Sequence, residues 1–241
     1  MTTPSWTRKP LIGFDCETSG LDVDFDRIVT GSVVRWGGGM PTVARTWDSD
    51  LGGAEISADA TAIHGISTEQ ARAAGRPAAE VVAEITEALS QYAAEGWPIV
   101  VMNAPFDLTM LERECDRYGV RSLWNATPVI LDPRVLDKQL DRFRSGKRTL
   151  VDLCHHYRVK LEGGAHNSEV DAKAACGVTW KIGQRYPRIA REDLGELHEM
   201  QAAWAKDLHE DFRAYQLQKY GSCDESPFDW PFIPAPAGAG A

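Results

Sequence analysis

The chain has 241 residues, of which 43% are hydrophobic, enough for one large domain or for a domain with an extension. Its 26 basic and 35 acidic side chains leave a formal charge of −9, so its overall charge does not mark it as a nucleic-acid binder. No apolar run reaches the ~18 residues of a membrane span, and the opening MTTPSWTRKP lacks the apolar centre of a signal peptide, so a cytoplasmic protein without a membrane segment is expected.

In chain order, residues 11–15 (LIGFD) read as a short buried strand. IVTGSVVRW (28–36) is β-branched and loosely alternating, a second strand. GGGMP then turns the chain into TVARTW, which predicts an antiparallel hairpin. Ser67 followed by Gln70 has the pattern of a capping box. Pro77 opens a helix that sets Val81, Val82, Ile85, Leu89 and Tyr92 on one face. PIVVM (98–102) is an apolar strand, and Pro105 starts a helix carrying Leu108, Leu111, Cys115 and Tyr118, which Gly119 stops. VIL (129–131) is a further strand, and helices are expected over 134–143, 149–157 and 168–186, with Pro187 ending the last.

This order of strands and helices, with one early hairpin, predicts an α/β fold: a mixed sheet with helices packed on it. Residues 191–219 space Leu194, Leu197, Met200, Trp204, Leu208, Phe212 and Tyr215 near the helical period, which predicts a long amphipathic helix packing on the domain or on a partner. The closing SPFDWPFIPAPAGAGA has aromatics able to dock and a terminal Ala/Gly/Pro run expected to be disordered. The expected division is a domain over 1–187 and a helical extension with its tail over 188–241.

The five cysteines, odd in number and without a Cys-x-x-Cys pair, argue against a disulfide framework and a thiolate zinc site. CHHY (154–157) is a weak metal candidate, because adjacent histidines on a helix point in different directions. RFRSGKR (142–148) is a local basic stretch, either a solvated loop or a phosphate contact.

The acids are more informative. Alternation along a strand puts Asp15 and Glu17 on one face. Two close carboxylates stay ionised together only with a cation between them, and hard oxygen ligands suit Mg²⁺ or Mn²⁺. Asp107 falls near the third position of a helix that follows a strand, where an acid also favours the helix dipole. In GGAHNSEVDAKAA, His166 sits on a glycine-supported approach and Asp171 in the first helical turn; Ser168 with Asp171 equally fits a capping box. A histidine beside a metal site is a natural general base.

Taken together, these motifs resemble the DEDDh 3′–5′ exonucleases, the family of the proofreading ε subunit of bacterial replicative polymerase. FDCETSG is similar to the first family motif, NAPFDL to the second and HNSEVDA to the third, while AIHGIS (62–67) resembles the segment between the first two. The resemblance covers about residues 10–186. It departs where Met102 precedes Asn103 in place of a histidine, and where Asp132-Pro133 replaces an Asp-Thr pair, a change expected to alter a loop.

The resemblance implies a ribonuclease H-like fold, with Asp15, Glu17, Asp107 and Asp171 around two Mg²⁺ or Mn²⁺ ions. It makes Asp15 the bridging ligand, gives Glu17 and Asp171 the ion that activates water, and leaves Asp107 to support the second. His166 would take the proton from the attacking water. Thr18, His64, Asn103 and Phe106 would line the pocket of the terminal nucleotide, although Phe106 equally fits the core. The implied activity is release of nucleoside 5′-monophosphates from a 3′ end, of DNA in preference to RNA. RNA trimming and an inactive binding or adaptor module are the alternatives. A DNA polymerase is a candidate partner, as is a sliding clamp, since QLDRF (139–143) is similar to a clamp-binding pentapeptide but places Arg142 where Leu is usual, within an expected helix.

Overall fold

The computed structural model describes residues 5–162 and 166–235. Five strands form one mixed sheet in the order β3-β2-β1-β4-β5. β1 (Pro10–Thr18) pairs antiparallel with β2 (Ile28–Gly37), and β2 with β3 (Val43–Asp48), the expected hairpin. β4 (Ile99–Val100) and β5 (Ile130–Leu131) run parallel to β1. β1 is longer than expected: pairing to β2 continues through Asp15, Cys16 and Glu17, with an irregularity only between Glu17 and Thr18. The two acids therefore belong to the strand itself, not to the turn after it.

Alternation along β1 divides the core. Ile12, Phe14 and Cys16 face α3 (Ala78–Ala94) and α4 (Ala104–Tyr118). On the other face Leu11 packs with α6 (Leu150–Tyr157) and α7 (Ser168–Arg185). Two short helices, α1 (Ala58–His64) and α2 (Thr68–Ala74), lie between β3 and α3, and the Ser67–Gln70 capping box forms as expected. Gly13 lets α7 lie directly on β1: a Cβ there would sit 2.3 Å from the Ala172 carbonyl oxygen. Only a residue without a side chain admits the helix backbone so closely.

α5 (Pro133–Leu140) ends earlier than the expected helix, so only the first part of QLDRF is helical, and Phe143 is 96% exposed in the turn beyond. The long helix α8 (Leu194–Tyr220) is present. Its first half covers the open edge of β5 with side chains. The Ile130 N–H donates to His198 Nδ1 (3.1 Å), Gln201 Nε2 donates to the Ile130 carbonyl (3.0 Å), and the Asp132 N–H donates to Gln201 Oε1 (2.8 Å). One helix thus satisfies the edge groups that a further strand would pair. Its second half leaves Phe212, Tyr215, Leu217 and Tyr220 exposed.

The segment after α8 returns to the domain. Trp230 is buried, Phe232 packs on Trp124, and the Ile233 N–H donates to Thr109 Oγ1 (2.7 Å). The aromatics dock as expected, while the Ala/Gly/Pro end lies outside the described residues. All five cysteines are free. No described helix is long and apolar enough to cross a membrane.

Candidate active site

Three elements bring four carboxylates to the carboxyl end of β1. Asp15 and Glu17 come from the strand on the face against α7, the face that Gly13 opens. Asp107 is the fourth residue of α4, one place later than expected, and is 6% exposed. Its Oδ1 accepts the Cys16 N–H at 3.0 Å, and the Cys16 thiol lies 3.3 Å from the same oxygen. Asp171 is likewise the fourth residue of α7. The Ser168–Asp171 capping box does not form. Asn167 is the cap, its Oδ1 accepting the Val170 N–H, and the Ser168 hydroxyl turns inward to Ser32 Oγ at 2.8 Å. Asp171 Oδ2 accepts the backbone N–H of His166 instead, at 2.9 Å.

The electrostatics are those of crowded acids. Burial, then repulsion from Asp107, Asp171 and Glu17, raises the Asp15 carboxyl well above the carboxylate range. Burial pushes Asp107 up to about 7 against the opposing hydrogen bonds from Cys16. Glu17 is raised by burial and by Asp171, and Asp171 by burial. Among the described residues no lysine or arginine forms an ion pair with any of the four. Asp171 Oδ1 is buried without a hydrogen-bond partner. The positive ends of α4 and α7 favour the two helix-borne acids but do not cancel four charges. Hard divalent cations fit this donor set. Ligand atoms of Glu17, His166 and Asp171 all lie within 4.8 Å of one another.

His166 is exposed, with a left-handed backbone (φ 67°); the Gly163-Gly164 approach lies outside the described residues. His64 stands near Thr18 and His166, its imidazole held below the ordinary range chiefly by burial, with a buried Nε2 that has no partner. The Thr18 hydroxyl donates to the Gly20 carbonyl (2.7 Å), so the turn uses it. Phe106 is half-buried against the core beneath it, and Asn103 is the αL residue that starts α4.

The sequence underrated Asp132. Far from altering only a loop, it is 1% exposed and accepts the N–H groups of Asn103, Ala104 and Arg134 at 3.2, 3.0 and 2.8 Å. One carboxylate thereby caps α5 and fixes the start of α4, four residues before Asp107. An Asp directly before a Pro at a helix start is the local signal for such a cap. Met102 packs on the apolar core. Among the described residues CHHY joins no ligand group: Cys154 is buried, and the His156 ring Nε2 hydrogen-bonds Arg185.

RFRSGKR is also mostly spent within the fold. Arg144 and Arg148 both donate to Asp137 at 2.8 Å, and Arg142 pairs with Asp211. Of its four basic side chains only Lys147 forms no ion pair among the described residues.

Solved structures of exonuclease I share the fold. The Escherichia coli enzyme in complex with a dA16 oligonucleotide matches with a TM-score of 0.64 at 18% identity, over 76% of this chain and 42% of that one. The enzyme from Methylocaldum szegediense matches with a TM-score of 0.63 at 19% identity, over 75% and 42%. A DNA polymerase III subunit epsilon-like protein of Rhodobacter capsulatus is 38% identical over 103 residues, which are 42% of this chain and only 14% of that protein. The exonuclease model RNase_T matches residues 12–179, a span that contains all four carboxylates and His166. The chain belongs to the RNase_T exonuclease family, as a DnaQ-like member.

Proposed function

We propose that this protein is a 3′–5′ exonuclease that releases nucleoside 5′-monophosphates from single-stranded or frayed DNA ends, in proofreading or repair. One observation carries the reading: four carboxylates from β1, α4 and α7 crowd together with no basic partner among the described residues. Asp15, Glu17, Asp107 and Asp171 would hold two Mg²⁺ or Mn²⁺ ions. When bound, these supply charge stabilisation to the attacking and leaving oxygens of an in-line displacement.

The chain's own groups do the rest. His166, exposed beside Glu17 and Asp171, accepts the proton of the attacking water on its ring. The water oxygen bonds to phosphorus, and the 3′ oxygen of the penultimate nucleotide leaves and is protonated. The Cys16 N–H holds Asp107 in place, and the Asp132 carboxylate fixes the helix that carries it. His64, Asn103 and Phe106, with the backbone around Thr18, border the terminal nucleotide. The preference for DNA is supported by the dA16 complex of the structural relative and by the polymerase-subunit name of the sequence relative.

The test is a degradation assay on 5′-labelled single-stranded DNA, a mismatched-end duplex and RNA of the same sequence, each with Mg²⁺, Mn²⁺ or EDTA. A metal-dependent ladder shortening from the 3′ end is expected, faster on DNA. A ladder on RNA alone transfers the reading to an RNA exonuclease, and no degradation by folded protein refutes it. His166→Ala should slow turnover about 10²–10⁴-fold while changing strand affinity far less; an equal loss in both would make His166 a substrate contact.

A further inference from the structure

Beyond the proposed catalytic carboxylates, the carboxyl edge of the sheet continues into a surface of which only the α5 side lies within the family model. Its match ends at residue 179, before α8 begins. Arg134 and Lys138, one turn apart on α5, form a ridge between two depressions. On one side stand Leu208, His209 and Phe212 of α8 with Phe228 from the returning segment. On the other stand Lys147, Arg148 and Thr149. Asn103 borders both, and its Oδ1 accepts a hydrogen bond from Arg134. The ridge therefore starts at the edge of the catalytic site.

The two sides differ in chemistry. His209 and Phe228 stack with centroids 4.1 Å apart and planes within 4°, making a flat platform, and Phe212 is 53% exposed beside it. Arg134, Lys138 and Lys147 form no ion pair among the described residues, although the chain carries nine excess acids. Lys138 is held below the ordinary lysine range by burial and by the charges of Arg134 and Arg148, a strain that an anion relieves. Asp132 also borders the aromatic side, but its carboxylate is spent on three backbone N–H groups. Unpaired cations beside the exposed Phe212 and the half-buried His209–Phe228 stack suit a polymer of phosphates and bases: the backbone follows the cations and the bases stack.

We infer that α8, the segment after it and α5 form a groove that holds a single-stranded polynucleotide beyond its terminal nucleotide, with Arg134, Lys138 and Lys147 on the phosphates and Phe212 and Phe228 on the bases. This rests on the exonuclease reading for its direction, since the bound strand leads into the carboxylate site. A short substrate occupies the catalytic end alone, whereas a longer one gains the groove.

The test measures fluorescence anisotropy of labelled dT3, dT12 and U12 with the full chain in EDTA. Hydrolysis of the same oligonucleotides is then followed in Mg²⁺. The unsubstituted protein should bind a 12-mer at least about tenfold more tightly than the trimer, the scale of one stacked base. Phe212→Ala and the double variant Lys138→Glu/Lys147→Glu should each remove most of that ratio, and the double variant should flatten its salt dependence by roughly one to two in slope. Lys147→Glu alone, in an exposed turn, should lower the ratio without burden on the fold. The 12-mer whose advantage the variants remove, dT12 or U12, identifies the sugar of the strand. An unchanged ratio in all three variants, or no length dependence at the outset, overturns the groove. Failure to hydrolyse either DNA length in Mg²⁺ overturns the exonuclease reading separately, because the binding ratio is read without metal.

Discussion

Asp137 is a buried acid and Asp15 a half-buried one, and only Asp137 carries its own counter-charges. Its carboxylate, 0% exposed, receives Arg144, Arg148 and the Tyr157 hydroxyl, each at 2.8 Å. Asp15 faces three further carboxylates and, among the described residues, no basic ion-pair partner. The first arrangement closes α5, α6 and the turn between them. The second leaves charge that an added cation or a bound proton must balance. A buried acid with partners closes its own charge, and a crowd of acids without them is a candidate cation site.

The sharpest way to break this comparison is to neutralise one acid at each centre. Asp15→Asn should lower hydrolysis about 10³-fold or more, the scale of several kcal/mol of lost charge stabilisation, yet leave metal-free thermal stability equal or higher because repulsion is relieved. Near-normal activity would remove Asp15 from the mechanism. Asp137→Asn should do the reverse. It leaves two arginines without their buried partner, so chemical denaturation should report a loss of about 3–5 kcal/mol, with activity per folded molecule largely kept.

Metal addition sharpens the same contrast. Saturating Mg²⁺ at about 100 times its dissociation constant should stabilise the protein by about 2.7 kcal/mol, and Asp15→Asn should abolish the gain while Asp137→Asn keeps it. In EDTA the pH dependence has a definite sign. Asp107, raised to about 7 by burial, binds its proton more tightly folded than unfolded. Its contribution to stability is therefore full below the unfolded carboxyl pKa of about 4 and is lost as pH rises to about 7. Melting temperature in EDTA should fall across that window and flatten when Mg²⁺ is present. A flat profile in EDTA would show that burial does not raise the Asp107 carboxyl.

The smallest expected effect lies at Gly13→Ala. The new methyl would meet the Ala172 carbonyl, so α7 must move. A stability loss of about 1–3 kcal/mol is expected, with an activity loss beyond it, because Asp171 precedes Ala172 and moves with the helix. Activity kept in proportion to folded protein would show that α7 adapts without displacing the site.

Much of the site was legible because its signals are local. Period-two alternation put Asp15 and Glu17 on one face whatever the strand paired with. Helix-start patterns placed Asp107 and Asp171 at the ends of two helices, correct to about one position. What stayed hidden depended on distant partners. Ser168 looked like a cap, but its hydroxyl found Ser32 and Asn167 took the role. RFRSGKR looked free, but Asp137 lies within reach only after α5 and α6 fold together. Asp132 looked like a loop substitution, and its three backbone partners include two from α4.

The sequence by itself determined the candidate site of this protein: which acids, on which kinds of element, in which order, because strand alternation and helix periodicity are properties of neighbouring residues. Tertiary structure alone decided which charges remain unpaired. It brought Arg144 and Arg148 to Asp137, laid α7 on Gly13, closed the β5 edge with His198 and Gln201, and left Arg134, Lys138 and Lys147 without an ion pair among the described residues. Pairing of charges acts through space and not along the chain, so it is settled only when the elements pack.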